Sequence, residues 1–215
     1  MQIHKRLLSV FLFIFIALIV CSGYFFSISK NNFILSDPGS EVVDLFERSI
    51  RFASSTQSGD LDADGALENY TLQQGKLQVK ENNTVVWETP SDWQVKSFIL
   101  ADATNDGVVD INMSVWKPGN FGSSRPFWVK ENDMSIKNHF FIFDFSKNKI
   151  RPVWQSSNLD NPNCAFAITD LDKDGNNDLL VIEGEYGSGT SCQGMYLALW
   201  KWNLWGFSNE WRSRK

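Results

Sequence analysis

Asp170-Leu-Asp-Lys-Asp-Gly-Asn-Asn-Asp178 is one of three similar acidic segments in this chain, and the other two occur earlier in the sequence. Loop one is Asp60-Leu-Asp-Ala-Asp-Gly-Ala-Leu-Glu68, loop two is Asp102-Ala-Thr-Asn-Asp-Gly-Val-Val-Asp110, and the stretch quoted first is loop three. Counted from its first aspartate, each loop has an oxygen-bearing side chain at positions 1, 3, 5 and 9 and a glycine at position 6. Internal repeats of this kind fix the architecture of a chain before single elements are assigned.

Apolar segments of strand length surround the loops in a recurring order. In the third repeat, residues 164–168 precede the loop, residues 179–182 follow it, and residues 196–202 and 209–213 provide two further segments. Polar turns separate the last two segments, which is typical of antiparallel strands. The final segment of each repeat contains a tryptophan, at Trp87, Trp154 and Trp211.

We therefore predict three repeats of four strands each, at residues 49–90, 91–156 and 157–212. The second repeat carries an insertion at residues 117–138. A four-stranded unit that repeats at intervals of roughly 40–65 residues is typical of a β-propeller blade. The predicted fold class is all-β and propeller-like, with three four-stranded blades in an open sector after an N-terminal transmembrane helix.

The loops have the chemistry of calcium sites, because calcium takes about six to eight oxygen ligands and a glycine permits the sharp turn that gathers them. An EF-hand is excluded, since its position 12 requires a glutamate and here it is Thr71, Met113 or Val181. For any single loop, a solvated Asp-Gly turn is the alternative. The predicted metal ligands are Asp60, Asp62, Asp64 and Glu68 in loop one, Asp102, Thr104, Asp106 and Asp110 in loop two, and Asp170, Asp172, Asp174 and Asp178 in loop three.

On these loops the chain resembles the FG-GAP/VCBS family of integrin-α-type propeller repeats, over residues 49–212. The resemblance implies a calcium ion in each loop and a location outside the cytoplasm. Loops one and three match the family pattern in full, whereas loop two departs from it at Thr104. Family propellers usually have seven blades, so a chain with three implies an open sector or closure by association, for example as a homodimer.

The N-terminus predicts the compartment. Lys5 and Arg6 precede residues 7–28, which carry no charged side chain and are long enough to cross a bilayer as a helix. Basic residues before the apolar segment predict that the N-terminus is inside and the remainder outside. We expect a signal-anchor at 1–28 and a linker at 29–48. Cleavage near Gly23, which would give a secreted protein, and lipidation of Cys21 are the alternatives, and all three place the repeats in the periplasm or outside the cell.

Two cysteines of the third repeat are expected to form a disulfide. Cys164 begins the first strand of that repeat and Cys192 follows its second strand. Because these strands are antiparallel, both cysteines lie at the same end of the blade. An oxidising compartment favours a disulfide there. The alternative is that the two thiols never meet.

Composition limits the possible functions. The formal net charge of −5 and the absence of a basic stripe exclude a nucleic-acid partner. Apart from His4 the only histidine is His139, and no catalytic triad or zinc-spaced set occurs, so we do not expect an enzyme. Most tryptophans are expected to pack between blades, whereas Phe127 and Trp128 in the insertion are the best candidates for an exposed binding surface.

These observations predict an extracytoplasmic calcium-binding module that serves as a binding or scaffold domain for a protein or glycan ligand. Residues 7–28 would attach it to the membrane. One alternative is an enzyme, for instance a polysaccharide-active one, that uses the insertion at 117–138 together with His139. The other is a subunit of an envelope complex.

Overall fold

The computed structural model describes residues 55–121, 127–131, 133–146 and 149–213. These residues form strands and connecting loops, and no helix occurs among them. The strands are β1 (Thr56–Gly59), β2 (Glu68–Gln73), β3 (Lys76–Glu81), β4 (Thr84–Glu88), β5 (Gln94–Ala101), β6 (Asp110–Pro118), β7 (Ile136–Ser146), β8 (Lys149–Gln155), β9 (Asn163–Thr169), β10 (Asp178–Tyr186), β11 (Cys192–Trp202) and β12 (Phe207–Arg212).

The twelve strands form three antiparallel sheets of four, β1–β4, β5–β8 and β9–β12, each in chain order. The predictions of an all-β fold and of three four-stranded units are therefore confirmed, and the sheets are consistent with propeller-like blades. Each Asp loop joins the first and second strands of its sheet. The strand before loop one, Thr56–Gly59, is short and polar, unlike the apolar strands before loops two and three.

The second sheet packs between the other two, which explains its almost continuous apolar sequence. Successive side chains of a strand point to opposite faces. On β7, Phe141 and Phe143 join a core with the first sheet, whereas Phe140 and Ile142 join a core with the third sheet. All residues of β6 from Asp110 to Lys117 are buried for the same reason. A strand covered on both faces loses the polar–apolar alternation of a surface strand.

Tryptophans from the outer strands close these two cores. Trp87 packs against Phe143 at 5.8 Å between ring centroids, and Trp154 packs edge-on against Phe207 at 5.6 Å. The prediction that the recurring tryptophans pack between blades is confirmed for both. Trp211 contributes instead to a third cluster on the opposite face of the third sheet, around Ala167, Leu180 and Leu199.

A disulfide joins Cys164 on β9 to Cys192 at the start of β11, with 5.4 Å between the Cα atoms, as predicted. The bridge crosses the intervening strand β10 next to Gly184, where the strand pairing is irregular. A Cβ atom at Gly184 would collide with the Cys164 sulfur and the Gln193 carbonyl, so glycine is required there by close approach.

The predicted signal-anchor at 1–28, including the apolar segment 7–28, and the linker at 29–48 lie outside the described residues. Within the described part of the chain, no helix is long and apolar enough to cross a membrane.

We expect the disulfide to stabilise the third sheet. Replacing both Cys164 and Cys192 by serine should lower the free energy of unfolding by about 3–4 kcal/mol, because the bridge restrains a long loop of the unfolded chain. Urea unfolding of the full-length protein in detergent measures this, with Cys21→Ser as the control. Peptide mapping that finds both thiols free, or an unchanged unfolding midpoint in the double variant, would contradict it.

Candidate metal centres

The three Asp loops share one backbone conformation although their sequences differ. Position 4 has a positive φ near 60° in every loop, and the glycine at position 6 has a φ near 90°. A side chain at position 4 is strained, whereas glycine adopts position 6 at no steric cost. The angles are 58° and 92° at Ala63 and Gly65, 59° and 87° at Asn105 and Gly107, and 59° and 92° at Lys173 and Gly175.

The first aspartate organises each turn by accepting backbone hydrogen bonds. In loop one, the N–H groups of Asp64 and Gly65 donate to the two oxygens of Asp60, at 3.1 and 3.0 Å. The N–H of Ala66 then donates to Asp64 Oδ1 at 2.8 Å. The same three bonds occur in loops two and three, with Asp102 and Asp170 as the first aspartates. These bonds hold the carboxylates at positions 1 and 5 of each loop against the backbone of the turn.

The carboxylates converge most closely in loop one. One oxygen from each of Asp60, Asp62, Asp64 and Glu68 lies within 4.8 Å of the others. In loop three, Asp170, Asp172 and Asp174 meet the same distance limit. The carboxylates of loop two, where Thr104 replaces an aspartate, do not form such a group among the described residues.

Glu68, at position 9 of loop one, is fully buried. Its Oε2 accepts hydrogen bonds from the Leu61 N–H at 2.9 Å and the Tyr70 hydroxyl at 3.1 Å, whereas its Oε1 is buried without a hydrogen-bond partner. Burial raises the pKa of Glu68 despite these two bonds, and the charges of Asp62 and Asp60 raise it further. A buried carboxylate oxygen without a partner is costly unless a cation neutralises it.

Loop two has the same feature at its position 9. Asp110 is only 2% exposed, and its Oδ2 has no hydrogen-bond partner. Burial, followed by the charges of Asp106, Asp144 and Asp102, raises the pKa of Asp110 to about 7. Burial and the neighbouring like charges both favour the protonated form of Asp110.

Loop three differs because a lysine enters it. The Lys201 ammonium lies 2.7 Å from Asp172 Oδ2, 3.5 Å from Asp174 Oδ2 and 3.6 Å from Asp178 Oδ1. Burial alone would lower the pKa of Lys201, but its hydrogen bond to Asp172 and the surrounding carboxylates outweigh burial and raise it. Burial raises the pKa of Asp178 to about 6, although Lys201 opposes the shift.

Side-chain hydrogen bonds connect loop two to loop three. The Asn105 side chain accepts a hydrogen bond from the Asn177 N–H at 2.6 Å and donates one to the Asn177 carbonyl at 3.1 Å. The Asn177 side chain donates to the Asp102 carbonyl at 2.7 Å. These bonds couple the second and third sheets at their loops, and no local pattern in the sequence indicates them.

His139, on which the predicted enzyme alternative depends, is fully buried in the second sheet. Its Nδ1 lies 3.2 Å from the Ser156 carbonyl, and burial lowers the pKa of the imidazole to about 4. A groove of about 540 Å³ lies beside the insertion, and Trp87, Trp93 and Phe121 are among its lining residues, but His139 is not. His139 therefore has the environment of a neutral core residue.

The insertion does present aromatic side chains to solvent. Phe127 is 93% exposed and Trp128 is 68% exposed, and their rings meet edge-on at 4.9 Å between centroids. The expected exposure of these two residues is confirmed, whereas their role in binding stays a prediction. A second exposed pair, Leu204 and Trp205, lies on the turn between β11 and β12 and was missed from sequence.

A scan against family models and searches of curated proteins and of solved structures each found no match for this chain. The resemblance to FG-GAP/VCBS repeats therefore rests on the loop motifs alone.

The raised pKa of Asp110 predicts how the metal-free protein responds to pH. The folded chain holds a proton at Asp110 that the unfolded chain releases near its ordinary pKa of 3.8. This contribution to stability is thus fully present below about pH 4 and is lost as the pH rises through about 7. In chelator-treated buffer, Asp110→Asn should become progressively more stable than wild type as the pH rises over this window.

The measurement is the difference in melting temperature between the two proteins at each pH. Comparing them at each pH is necessary because buried His139, with a pKa of about 4, opposes the effect of Asp110 below pH 6.5. A difference that stays constant from pH 4 to pH 8 would contradict the assignment.

Proposed function

We propose that this chain is an extracytoplasmic calcium-binding module, an open sector of three propeller-like blades that serves as a binding or scaffold domain. The observation that carries the proposal is the buried, unpartnered Oε1 of Glu68 in a loop that gathers three further carboxylates within 4.8 Å. Such a group is stable only with a cation or with protons in place.

The donor set favours calcium over other metals. Loop one offers only oxygen, from carboxylates and from the backbone carbonyl of Ala66 at position 7, and no histidine or cysteine. Hard oxygen donors of this kind select calcium or magnesium rather than zinc or copper. Magnesium retains much of its hydration shell, whereas several carboxylates in one flexible loop suit the larger calcium ion. Asp60, Asp62, Asp64 and Glu68 would hold it in loop one, and Asp102, Thr104, Asp106 and Asp110 would hold it less tightly in loop two.

The location outside the cytoplasm is supported by the Cys164–Cys192 disulfide, since such bonds form and persist in oxidising compartments. Membrane attachment through residues 7–28 is part of the same proposal. Calcium concentrations outside the cytoplasm are high enough to fill sites of modest affinity.

The binding role is supported by the exposed aromatics. Phe127 and Trp128 on the insertion, and Trp205 on the third sheet, expose large apolar rings that nothing in the described residues covers. Aromatic side chains of this kind supply much of the binding energy at protein interfaces. The partner proposed for this surface is a protein or a glycan, and no nucleic acid is expected.

A second candidate, a subunit of an envelope complex, is favoured by the third sheet. Its face opposite the second sheet carries the separate apolar cluster around Leu180 and Leu199, with Ile182 and Trp211 partly buried at its margin. In a closed propeller the next blade would cover this face. A homodimer or another envelope protein would cover it in the same way.

Calcium should stabilise the full-length protein by mass action, by about 2.7 kcal/mol at a hundredfold excess over its dissociation constant. The melting temperature should therefore rise on adding calcium and fall again on adding EGTA. Asp64→Asn should reduce the response because it removes a charge while leaving an oxygen for the Ala66 N–H. Asp160→Asn, an exposed acid outside the loops, is the matched control. Identical melting curves of wild type in calcium and in EGTA would refute calcium binding.

A further inference from the structure

In each sheet, one residue of the third strand lies opposite the last residue of the Asp loop, the acid at position 9. In the first sheet, Glu81 on β3 pairs directly with Glu68, the acid at position 9 of loop one. In the third sheet, Leu179 pairs with Trp200, so the next pair places Lys201 opposite Asp178. In the second sheet, Ile111 pairs with Phe143, so the next pair places Asp144 opposite Asp110. The facing residue is thus an acid in two sheets and a lysine in the third.

Loops one and three differ in the group that contacts the second carboxylate oxygen of the acid at position 9. In both loops one oxygen of that acid accepts a hydrogen bond from the leucine at position 2, at 2.9 Å from Leu61 and at 3.2 Å from Leu171. In loop one the other oxygen, Glu68 Oε1, is buried with no partner. In loop three the other oxygen, Asp178 Oδ1, lies 3.6 Å from the Lys201 ammonium.

The Lys201 ammonium neutralises the carboxylates of loop three in the way that a bound cation would. Its ammonium lies within 3.6 Å of Asp172, Asp174 and Asp178 together, and the contact with Asp172 is a hydrogen bond of 2.7 Å. The acidic residues of loop three therefore have a positive charge of their own, and a divalent ion would have to displace it. A fixed ammonium and a calcium ion repel each other and compete for the same oxygens.

Loop one has the opposite arrangement. Glu81 adds a fifth carboxyl group to the four of the loop, and it lies close enough to interact with the charges of Asp64, Asp62 and Glu68. Its Oε1 is buried without a hydrogen-bond partner, like that of Glu68. The residue that pairs with position 9 therefore adds a carboxyl group with a buried, unpartnered oxygen in loop one, whereas the corresponding residue adds an ammonium group in loop three.

We infer that Lys201 takes the place of the divalent cation in loop three, and that the residue facing position 9 determines which Asp loops of this protein bind metal. Loop one, with Glu81, binds the ion, and loop three holds its carboxylates together without it. Loop two, with Asp144, falls in the same class as loop one. The inference rests on the proposed calcium binding and narrows it to particular loops.

A reciprocal exchange of the two residues tests the inference. The full-length protein, purified in detergent, is titrated with calcium by isothermal calorimetry, and terbium luminescence provides a second count of bound ions. Glu81→Lys should remove the site of loop one, and Lys201→Glu should add a site in loop three. Lys149→Glu makes the same charge change at an exposed position of β8 and should leave the count unchanged.

Single ligand variants assign the sites in the otherwise unchanged protein. Asp64→Asn should lower the number of bound calcium ions by one, whereas Asp174→Asn should leave it unchanged. If Asp174→Asn lowers the count, loop three binds calcium with Lys201 in place and the inference is overturned. Because this comparison needs no exchange at Lys201, it decides the question even where Lys201→Glu folds poorly.

The outcomes separate this inference from the proposal on which it rests. If neither wild type nor any variant binds calcium or terbium, calcium binding itself fails, and the inference fails with it. If wild type binds calcium through loop one but both exchanges leave the count unchanged, only the assignment of Lys201 fails. Calcium-dependent recovery of folding in Lys201→Glu, followed by circular dichroism, would support the inference in the same way as a gained site.

Discussion

Each Asp loop gathers several carboxylates in one short turn, and their mutual repulsion has to be balanced for the sheets to form around it. The turn itself is made by backbone N–H groups donating to the aspartates at positions 1 and 5 of the motif, so these acids cannot separate without loss of the bonds. At separations below about 5 Å, like charges repel by several kcal/mol in a partly buried site. Each loop must therefore be neutralised by a proton, a metal ion or a basic side chain.

The sheets increase the need for neutralisation, because they bury one acid of each loop. Position 9 is the first residue of the second strand in all three sheets: Glu68 begins β2, Asp110 begins β6 and Asp178 begins β10. These strands occupy interior places in their sheets, so the acids are 2% exposed or less. Packing of the apolar cores thus removes the carboxylate at position 9 from contact with water. The fold and the proposed metal dependence have the same physical origin.

Much of this arrangement could be predicted from sequence, because strands and turns leave local patterns. The Asp motif, the alternation of apolar residues around it and the recurring tryptophans were sufficient for the three four-stranded sheets and for the neighbouring positions of Cys164 and Cys192. His139 lies in an almost continuously apolar strand, a pattern typical of a strand covered on both faces, and it is fully buried.

The contact of Lys201 with loop three could not be predicted, because it depends on an irregularity in strand register. The pairing of Tyr186 with Cys192, continued without interruption, would set Asp178 opposite Trp200 and direct Lys201 to the other face. An irregularity next to Gly184 leaves Met195 unpaired and shifts the register by one residue, which turns Lys201 into the loop. A shift of one residue exchanges the faces of a strand, and sequence periodicity alone does not locate such bulges.

Anomalous diffraction from crystals grown in calcium, measured at a long X-ray wavelength, would locate the bound ions. We expect an anomalous peak among Asp60, Asp62, Asp64 and Glu68 in loop one, and none among Asp170, Asp172 and Asp174, where the Lys201 ammonium should remain in contact with Asp172. A calcium peak in loop three with Lys201 turned away, or an empty loop one at millimolar calcium, would contradict it.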